Sequence, residues 1–586
     1  MSDTGTIRER IERASAFFAQ LDAVVLTTFN LSGTFLEDQA LPTVLGVEGK
    51  SAAARRAELH QRLGATPCTV FYDPTLAPRI SGRYRYVARP IPVKGRFFHP
   101  KLVVMAGRSE DGTTWVYLSV SSANLTLSGW GRNAESFGEL WIHTRKQQGW
   151  QALDKLLRWL ETFSPLGEEK GGGDAVQKIR AALKSMPDRK RFVEDGTEPW
   201  SGALRGQLYS SVVHTEGFPN FLQMGRARPA SSVWAYSPYW SDVAEQVAAF
   251  NGRETILIPS LRSDGAALGM SQDQAGALEE HTKVQRNPGD VGMRFWHMKA
   301  YGIHHGDTAF SAVGSCNFTK AGLCGVAGNV EAMLVFKADP DWLPKGKDAE
   351  FTDLASECQE EEEAPTPTPI AIVVAWDWRA QTWRWWLNAG PFQHDFVLEL
   401  PGLTRFPIDS GTQAKPGKPP ARGATFTVTY RTAKREKQWQ GNVVELNLDY
   451  SSRIYGRPLT ANEILDSWRG HAPSWDLGGG GGVVIQVTMA TMSNMTPQQR
   501  LMRSISTNFT ALCELFGRSL PASKNIPKSS ERTLLAGPIA SWRSRIWRTE
   551  IRRPPWCAIW YCANSMVCCQ SGHTCSTPIL FRAQKG

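Results

Sequence analysis

Hydrophobic positions along the first part of the chain switch between strand-like and helix-like spacing. A buried parallel strand is predicted by the continuous apolar run "DAVVLTTFNLSG" at 22–33, and helical spacing follows in "GTFLEDQALPTVL" at 33–45. About 200 residues later the same order of elements returns in "SSVWAYSPYWSDVAEQVAAF" and "ETILIPSL". Strands that alternate with helices predict an α/β layered fold, and the repetition predicts two related halves.

Changes in composition mark where the predicted domains begin and end. A Gly-rich junction, "SPLGEEKGGGDAVQ", separates a first half at 1–170 from a second half at 171–360. An acidic, proline-rich stretch at 357–369, "ECQEEEEAPTPTP", is typical of a linker, and a solvated loop inside one domain is the alternative. The sequence therefore predicts a further domain beyond this linker.

Short apolar runs separated by turn residues follow the linker. They are "IAIVVAWDWRAQTWRWWLNAG", "DFVLELPGL", "ATFTVTYRTA" and "VVELNLDYSSR", and they predict a small antiparallel, sandwich-like β domain at 370–455. The tryptophans in these runs alternate with polar residues. Such rings can stack on nucleic-acid bases, but packing in the core and on the sheet faces is the more common use.

The last region, 456–586, is predicted to be helical and irregular. Amphipathic spacing occurs in "LTANEILDSWRG" and "TPQQRLMRSISTNFTALCELFGRSL", and the run "DLGGGGGVVIQV" lacks the Gly-Lys-Ser/Thr of a phosphate-binding loop. Five cysteines and His573 near the end raise the hypothesis of a zinc site. Because their spacing contains no C-x-x-C pair, a poorly defined terminus is predicted instead.

Two histidine-lysine pairs stand at the head of apolar runs. "RFFHPKLVVMAG" contains His99 and Lys101, and "FWHMKAYGI" contains His297 and Lys299. Residues two apart in a strand share a face, so each imidazole is predicted to lie beside its ammonium group. A third copy at 279–287, "EEHTKVQRN", lies in a polar stretch with no apolar strand, so the spacing alone is not diagnostic.

The residues downstream distinguish the first two copies from the third. Each of the two continues with an apolar strand, a Ser-x-Asn segment, a Gly-rich turn and an Asn-x-Glu segment, whereas His281 has no such sequel. The sequence therefore predicts one repeated set of chemical groups. The predicted catalytic residues are His99, Lys101, Asn124, Glu135, His297, Lys299, Asn317 and Glu331, with Ser122 and Ser315 as predicted substrate-binding residues.

These residue types suit the chemistry of a phosphodiester. Lysine charge and asparagine amide groups can hold its non-bridging oxygens, and one imidazole can attack phosphorus to form a phosphohistidine. A second imidazole can protonate the leaving oxygen and then activate water. A glutamate that accepts the Nδ1 proton would fix each imidazole's tautomer. Neither a metal nor a cofactor is predicted.

The two blocks resemble the phospholipase D superfamily, which carries two His-x-Lys motifs in each active site and works through a phosphohistidine. The usual motif has an aspartate five residues after the lysine, where this chain has Ala106 and His304. The departure resembles the tyrosyl-DNA phosphodiesterase branch, to which "SSANLTLSGWG" is similar, while "SCNFTKAGL" looks more like bacterial members of nuclease type. The resemblance implies duplicated phospholipase D-like α/β/α halves with an active site at their pseudo-twofold axis. It also implies His99 as nucleophile and His297 as acid and base.

Composition narrows the substrate class and the location. A net charge of +10 and a pI near 9.1, with scattered Lys and Arg, suit a polyanionic substrate. The charged N-terminal stretch predicts a helix and not a secretory signal, and no apolar run is long enough to cross a membrane. Cysteine usage in the first 500 residues predicts no disulfide framework, so a cytoplasmic location without a membrane partner is expected.

The predicted function is a metal-independent phosphodiesterase acting on nucleic acid, DNA in particular, either as an end-processing enzyme or as a nuclease. One alternative is a phospholipase D-like lipid phosphodiesterase or transferase. Another is a non-catalytic nucleic-acid-binding subunit with protein partners in a defence or repair complex. The sequence leaves the oligomeric state and the choice between DNA and RNA open.

Overall fold

The computed structural model describes residues 6–446, with internal gaps at 50, 77–79, 81–83, 148, 163–173, 189–205, 224–227, 261–277, 279–280, 287–294, 338–345, 350–370, 390–394, 404, 422 and 432–435. The predicted linker, the C-terminal helices, the glycine run and the Cys-rich end all lie outside the described residues.

The first sheet has six strands, and the first histidine-lysine pair lies just before the fourth of them in chain order. Its strands are β1 (Gln20–Thr28), β2 (Cys68–Tyr72), β3 (Val87–Pro90), β4 (Leu102–Arg108), β5 (Thr114–Ser121) and β6 (Phe137–Ile142). The strand order is β3-β2-β1-β4-β5-β6. Strands β1, β2 and β3 are parallel, and each later strand is antiparallel to its neighbours.

The second sheet contains the same arrangement with one extra strand at each edge. Its strands are β7 (Gly206–Ser210), β8 (Ser232–Ser237), β9 (Thr255–Pro259), β10 (Thr282–Arg286), β11 (Ala300–His305), β12 (Thr308–Gly314), β13 (Ala332–Phe336) and β14 (Lys347–Ala349). The order is β14-β10-β9-β8-β11-β12-β13-β7. From β10 to β13, both the order and the strand directions match those from β3 to β6.

The described α-helices are α1 (Ile7–Ala16), α2 (Gly33–Phe35), α3 (Leu41–Val44), α4 (Ala52–Ala65), α5 (Trp150–Thr162), α6 (Asp174–Ser185), α7 (Phe218–Leu222), α8 (Val243–Phe250) and α9 (Lys320–Leu323). A π-helical turn, Leu36–Ala40, joins α2 to α3, so the predicted helix at 33–45 is present with one widened turn. Thr6 and Glu9 form a capping box that fixes the start of α1. None of the helices within the described ranges has the length and apolar character needed to cross a membrane.

Burial on both faces explains why the sheet strands are continuous apolar runs. One apolar core contains residues of both sheets, including Val104 and Leu118 from the first and Ala300 and Leu334 from the second. The helices α5 and α6 contribute to this core, and α6 packs against β1 and β4. Two further apolar clusters cover the opposite faces of the two sheets. Strands buried on both faces lose the polar alternation of a half-exposed strand.

The predicted β-rich region forms two small sheets around their own core. Its strands are β15 (Ala371–Asp377), β16 (Thr382–Asn388), β17 (Phe396–Glu399), β18 (Phe406–Ile408), β19 (Gly411–Pro416), β20 (Thr425–Arg431), β21 (Glu436–Asn442) and β22 (Val444–Leu446). The sheet orders are β19-β16-β15-β22 and β18-β17-β20-β21. Trp376 and Trp383 are fully buried between them, so these rings serve the core.

One strand pair differs from the predicted antiparallel pattern. Strands β15 and β22 are parallel, while the other pairs in these two sheets are antiparallel. A single residue, Val443, separates β21 from β22, and the chain crosses there from one sheet to the other. So short a crossing does not allow the chain to turn back as a hairpin.

Candidate active site

The two histidine-lysine pairs lie just before strands and not within them. Strands β4 and β11 begin at Leu102 and Ala300, one residue after Lys101 and Lys299 respectively. The prediction that each pair lies in a strand is therefore corrected to an extended entry segment. The physical reason is that the histidine backbone N–H groups bond to the other half of the molecule instead of to a neighbouring strand.

These backbone bonds join the halves in a reciprocal way. The N–H of His99 donates to the carbonyl of Val330 at 2.9 Å, and the N–H of His297 donates to the carbonyl of Ala134 at 2.9 Å. Val330 and Ala134 each immediately precede the glutamate of their own block. Each histidine is thereby placed beside the glutamate of the opposite block.

Each imidazole is oriented by a carboxylate from the other half. His99 Nδ1 lies 2.9 Å from Glu331 Oε2, and His297 Nδ1 lies 2.9 Å from Glu135 Oε2. In the neutral tautomer with the proton on Nδ1, each ring donates to its glutamate and keeps a lone pair on Nε2. The spacing of residues within one block does not reveal this exchange, because each histidine contacts the glutamate of the other block.

The two lysines are buried next to the imidazoles. Lys101 Nζ donates to the backbone carbonyl of His99 at 2.7 Å. Lys299 Nζ donates to the carbonyl of His297 at 2.9 Å and lies 2.8 Å from its Nε2. Burial lowers the pKa of Lys101 well below its usual value. Burial also lowers the pKa of Lys299, to about 7, although the charges of the two glutamates act to raise it.

The serines of the two blocks hold the glutamates. Ser122 Oγ donates to Glu135 Oε2, and Ser315 Oγ donates to Glu331 Oε2. Asn133 Nδ2 adds a hydrogen bond of 3.2 Å to Glu135 Oε1. The observed contacts of both serines orient a carboxylate, and their predicted contact with substrate stays a prediction.

The asparagines occupy equivalent turns in the two blocks. Asn124 Oδ1 accepts a hydrogen bond of 3.1 Å from the N–H of Asn30, and Asn317 Oδ1 is buried with no hydrogen-bond partner among the described residues. A Cβ atom on Gly129 would lie 2.4 Å from the carbonyl oxygen of Asn124, and one on Gly322 would lie 2.4 Å from that of Asn317. Glycine is required at both places because the two backbones approach so closely.

The two histidine–glutamate pairs differ in how the pKa of the glutamate is shifted. Burial, followed by the charge of Lys101, lowers the pKa of His99 well below its usual value, and burial raises the pKa of Glu331 to about 8. Burial also lowers the pKa of His297, but Glu135 acts to raise it. Burial acts to raise the pKa of Glu135, yet the charge and hydrogen bond of His297 bring it below its usual value. The pKa of Glu135 is therefore lowered and that of Glu331 raised, so the two glutamates differ in the direction of their shifts.

Asp73 is a site residue that the sequence analysis missed. It directly follows β2, is 2% exposed, and accepts hydrogen bonds from the N–H of Phe98 at 2.6 Å and of Thr75 at 2.8 Å. Burial raises its pKa to about 6, and its charge acts to raise the pKa of Lys101. The available signal was a carboxylate at the carboxyl end of a buried parallel strand, "CTVFYD".

The two halves differ at this position. In the second sheet the residue after β9 is Ser260, whose Oγ donates to the carbonyl of Trp296, the residue before His297. Asp73 likewise contacts Phe98, the residue before its own half's histidine. A carboxylate in one half thus corresponds to a hydroxyl in the other.

Asp73→Asn is expected to lower kcat about ten- to a hundredfold, because the two N–H groups donate to different carboxylate oxygens and asparagine replaces one of these acceptors with an NH2 donor. The substitution also removes a negative charge that favours the ammonium form of Lys101. Lys101 should therefore lose its proton at a lower pH, and the alkaline limb of the pH–rate profile should shift downward. Ser260→Ala is the matched control and should keep the wild-type profile. Wild-type kcat and pH dependence in Asp73→Asn would contradict this role.

Aromatic rings flank both imidazoles, which the sequence analysis did not predict. The ring centroid of Phe29 lies 5.2 Å from that of His99. The centroids of Phe295 and Tyr239 lie 6.0 Å and 6.3 Å from that of His297. Phe29 and Tyr239 come shortly after β1 and β8, in equivalent places of the two sheets. A planar group bound at the site would meet aromatic surface on either side.

The third histidine-lysine copy lies away from this site. His281 is exposed, and Lys283 Nζ pairs with Glu254 Oε1 at 2.6 Å. The strand that begins at Thr282, β10, is short and mostly polar, unlike the buried strands β4 and β11. Strand β10 is parallel to β9 and β8, whereas β11 is antiparallel to β8. His281, just before β10, therefore lies at the opposite end of the strands from the residues just before β11.

Among the residues that the structure describes, no group of three or more His, Cys, Asp or Glu side chains is arranged to hold a metal ion. The hypothetical zinc ligands around His573 lie beyond the described part of the chain.

Similarity to known proteins is found among solved structures. No family model matches the sequence, and no curated protein matches it. Among solved structures, the chain is similar to the polyphosphate kinase from Porphyromonas gingivalis, with 13% sequence identity and a TM-score of 0.30. The match covers 56% of this chain and 45% of the kinase, so the chain spans less than half the length of that protein. A similarity of this size carries no argument about function.

Proposed function

We propose that this chain is a phosphodiesterase of the phospholipase D type, with one active site built from two related halves. The observation that carries the proposal is the reciprocal exchange of orienting carboxylates, His99 with Glu331 and His297 with Glu135. The matching order and direction of six strands in each sheet support a duplication of the halves. Two oriented imidazoles with buried lysines are the groups that a two-step displacement at phosphorus needs.

In the first step His99 is the nucleophile. Its low pKa keeps the imidazole neutral, so the Nε2 lone pair attacks phosphorus and a P–N bond forms as the P–O bond to the leaving group breaks. His297 donates the proton that the leaving oxygen takes up. Glu135 beside His297 supports this assignment, because its charge and hydrogen bond act to raise the pKa of His297 against the burial that lowers it.

In the second step water replaces the histidine. The now neutral His297 takes a proton from water, the oxygen attacks phosphorus, and the P–N bond to His99 breaks. Lys101, Lys299 and the asparagine amides hold the non-bridging oxygens as negative charge builds on them. Both histidines return to their starting protonation states, so the atoms and charges balance over the cycle.

Nucleic acid is the proposed substrate class, with DNA as the form to test first. The flanking rings of Phe29, Tyr239 and Phe295 provide surface for bases next to the scissile phosphate, and the net charge of +10 suits a polyanion. A lipid phosphodiesterase is the enzyme alternative, and a non-catalytic nucleic-acid-binding subunit is the alternative without chemistry. Hydrolysis assays separate all three.

The full chain is expected to hydrolyse bis-(p-nitrophenyl) phosphate equally well with and without EDTA, because lysine and histidine side chains supply the charge in the proposed mechanism. Release of p-nitrophenolate measures the rate, and labelled DNA oligonucleotides and short-chain phosphatidylcholine then identify the substrate class. Complete loss of hydrolysis in EDTA with recovery on adding a divalent ion would contradict the mechanism. Hydrolysis of the lipid alone would favour the lipid alternative.

A further inference from the structure

The large apolar side chains that are exposed in the described part of the chain lie around the active site. They are 42–53% exposed, and they are Leu76, Leu127, Tyr239 and Val326, here called the site rim. Scattered exposed apolar residues are normal on a protein surface. These four, however, all lie in loops at the strand ends where the histidine-lysine segments enter the two sheets, and grouped exposed apolar surface marks an interaction site.

Each rim residue belongs to a segment that also carries a site residue. Leu76 is three residues after Asp73, and Leu127 is three residues after Asn124. The Tyr239 ring lies 6.3 Å from the His297 ring. Val326 is held by the other half, because Arg96 Nη1 donates to its carbonyl oxygen.

The topology places these segments at the strand ends where the histidine-lysine segments lead into the two sheets. Leu76 and Tyr239 follow β2 and β8, and Leu127 and Val326 follow β5 and β12. Strands β4 and β11 run antiparallel to β1 and β8. The histidine-lysine segments that precede β4 and β11 therefore lie at the same end of each sheet as the loops after β1 and β8. Isolated backbone bridges join the loops after β1 and β5, and those after β8 and β12.

Basic side chains accompany the apolar ones in the rim segments. Arg132 is exposed at the end of the π-helical turn Ser128–Arg132, next to Leu127. Arg96 stands three residues before His99 and is half-buried against the carbonyls of Val326 and Gly328. A ligand that covers this surface must therefore offer both negative charge and apolar faces.

We propose that the site rim binds the unstacked bases of a single-stranded nucleic acid on either side of the scissile phosphate. The inference rests on the proposed function and names its substrate form. In a duplex the base faces are covered by neighbouring base pairs, so the rim would meet only sugars and phosphates. In a single strand the faces are free to lie on aliphatic and aromatic side chains while the phosphates meet arginine and lysine.

The test measures binding separately from cleavage. Full-length protein carrying His99→Ala is titrated into three fluorescein-labelled DNAs of equal length: a single strand, its duplex, and a single strand with abasic positions around the central phosphate. Fluorescence anisotropy should give the tightest binding to the base-bearing single strand, with the other two weaker by about tenfold or more.

Rim variants should then remove the preference for bases. In the His99→Ala protein, a further Leu127→Ser or Tyr239→Ala substitution should lower the affinity for the base-bearing single strand to about that for the abasic strand. A further His281→Ala substitution should leave the affinities for both strands unchanged. Leu127 is more than half exposed, so its substitution leaves the core intact. Circular dichroism checks that each variant is folded. If one rim variant does not fold, the other still tests the proposal.

Three results would overturn the proposal: equal affinity for abasic and base-bearing strands, tighter binding of the duplex, or binding of anionic phospholipid vesicles with no binding of DNA. Hydrolysis of bis-(p-nitrophenyl) phosphate by the unsubstituted chain is scored separately. Intact hydrolysis without base dependence rejects the rim proposal alone. Base-dependent binding without hydrolysis of any phosphodiester rejects the proposed chemistry alone.

Discussion

His99→Ala and His297→Ala are each expected to lower kcat/KM for a phosphodiester with a natural leaving group by a factor on the order of 10⁴ or more. In the proposed mechanism, no protein group forms the bond to phosphorus without His99. Without His297 no group protonates the leaving oxygen or activates water. Each loss removes a complete step, so the two substitutions combined should cost little more than either alone.

The chain provides its own control for this experiment in His281. That histidine has the same spacing to a lysine, but it is exposed at the opposite edge of the second sheet, and Lys283 pairs with Glu254. His281→Ala should keep most of the activity. Steady-state hydrolysis of a labelled oligonucleotide measures all three variants, and an equal loss in all three would mean that the motif assignment is wrong.

The second large effect concerns the covalent intermediate. With a good leaving group such as p-nitrophenolate, expulsion needs no proton, so His297→Ala should still form a phosphohistidine slowly at His99 and then stall. His99→Ala should form no adduct at all. The two variants are therefore expected to differ completely in adduct yield while both lack turnover.

An adduct on His297 in the His99→Ala protein would reverse the two roles. The sequence supports either order, because the two blocks contain the same residue types. In the proposed order His99 is the nucleophile, beside Glu331, whose pKa burial raises to about 8, and His297 lies beside Glu135, whose pKa is lowered. The order of the roles thus depends on electrostatics that become visible only once the halves are packed together.

The sequence was most informative where a pattern repeats. The run at 22–33 and its later counterpart predicted strands, and β1 and β8 are present there. The shared sequel of Ser-x-Asn and Asn-x-Glu separated His99 and His297 from His281, and the structure groups the first two with the glutamates. Hydrophobic periodicity and the order of motifs depend on residues that are near one another in the sequence, so a single sequence is enough to predict them.

Contacts between distant segments could not be predicted in the same way. The pairing of His99 with Glu331 joins residues 232 positions apart, and the aromatic ring of Tyr239 reaches His297 from another loop. Asp73 contacts the backbone before His99 only because β2 ends at the same sheet edge. Such contacts follow from how the strands are ordered and how the halves dock, which spacing along one chain does not encode.

The central claim is that residues of both halves act on one phosphorus through a covalent phosphohistidine. Rapid mixing of the full chain with bis-(p-nitrophenyl) phosphate, quenching in alkaline denaturant and peptide mass mapping tests it most directly, since the P–N bond survives alkali better than acid. The prediction is a burst of one p-nitrophenolate per chain in His297→Ala, with the p-nitrophenylphosphoryl group on His99. Turnover by the unsubstituted chain, together with no burst and no adduct on either histidine in any variant, would contradict the claim.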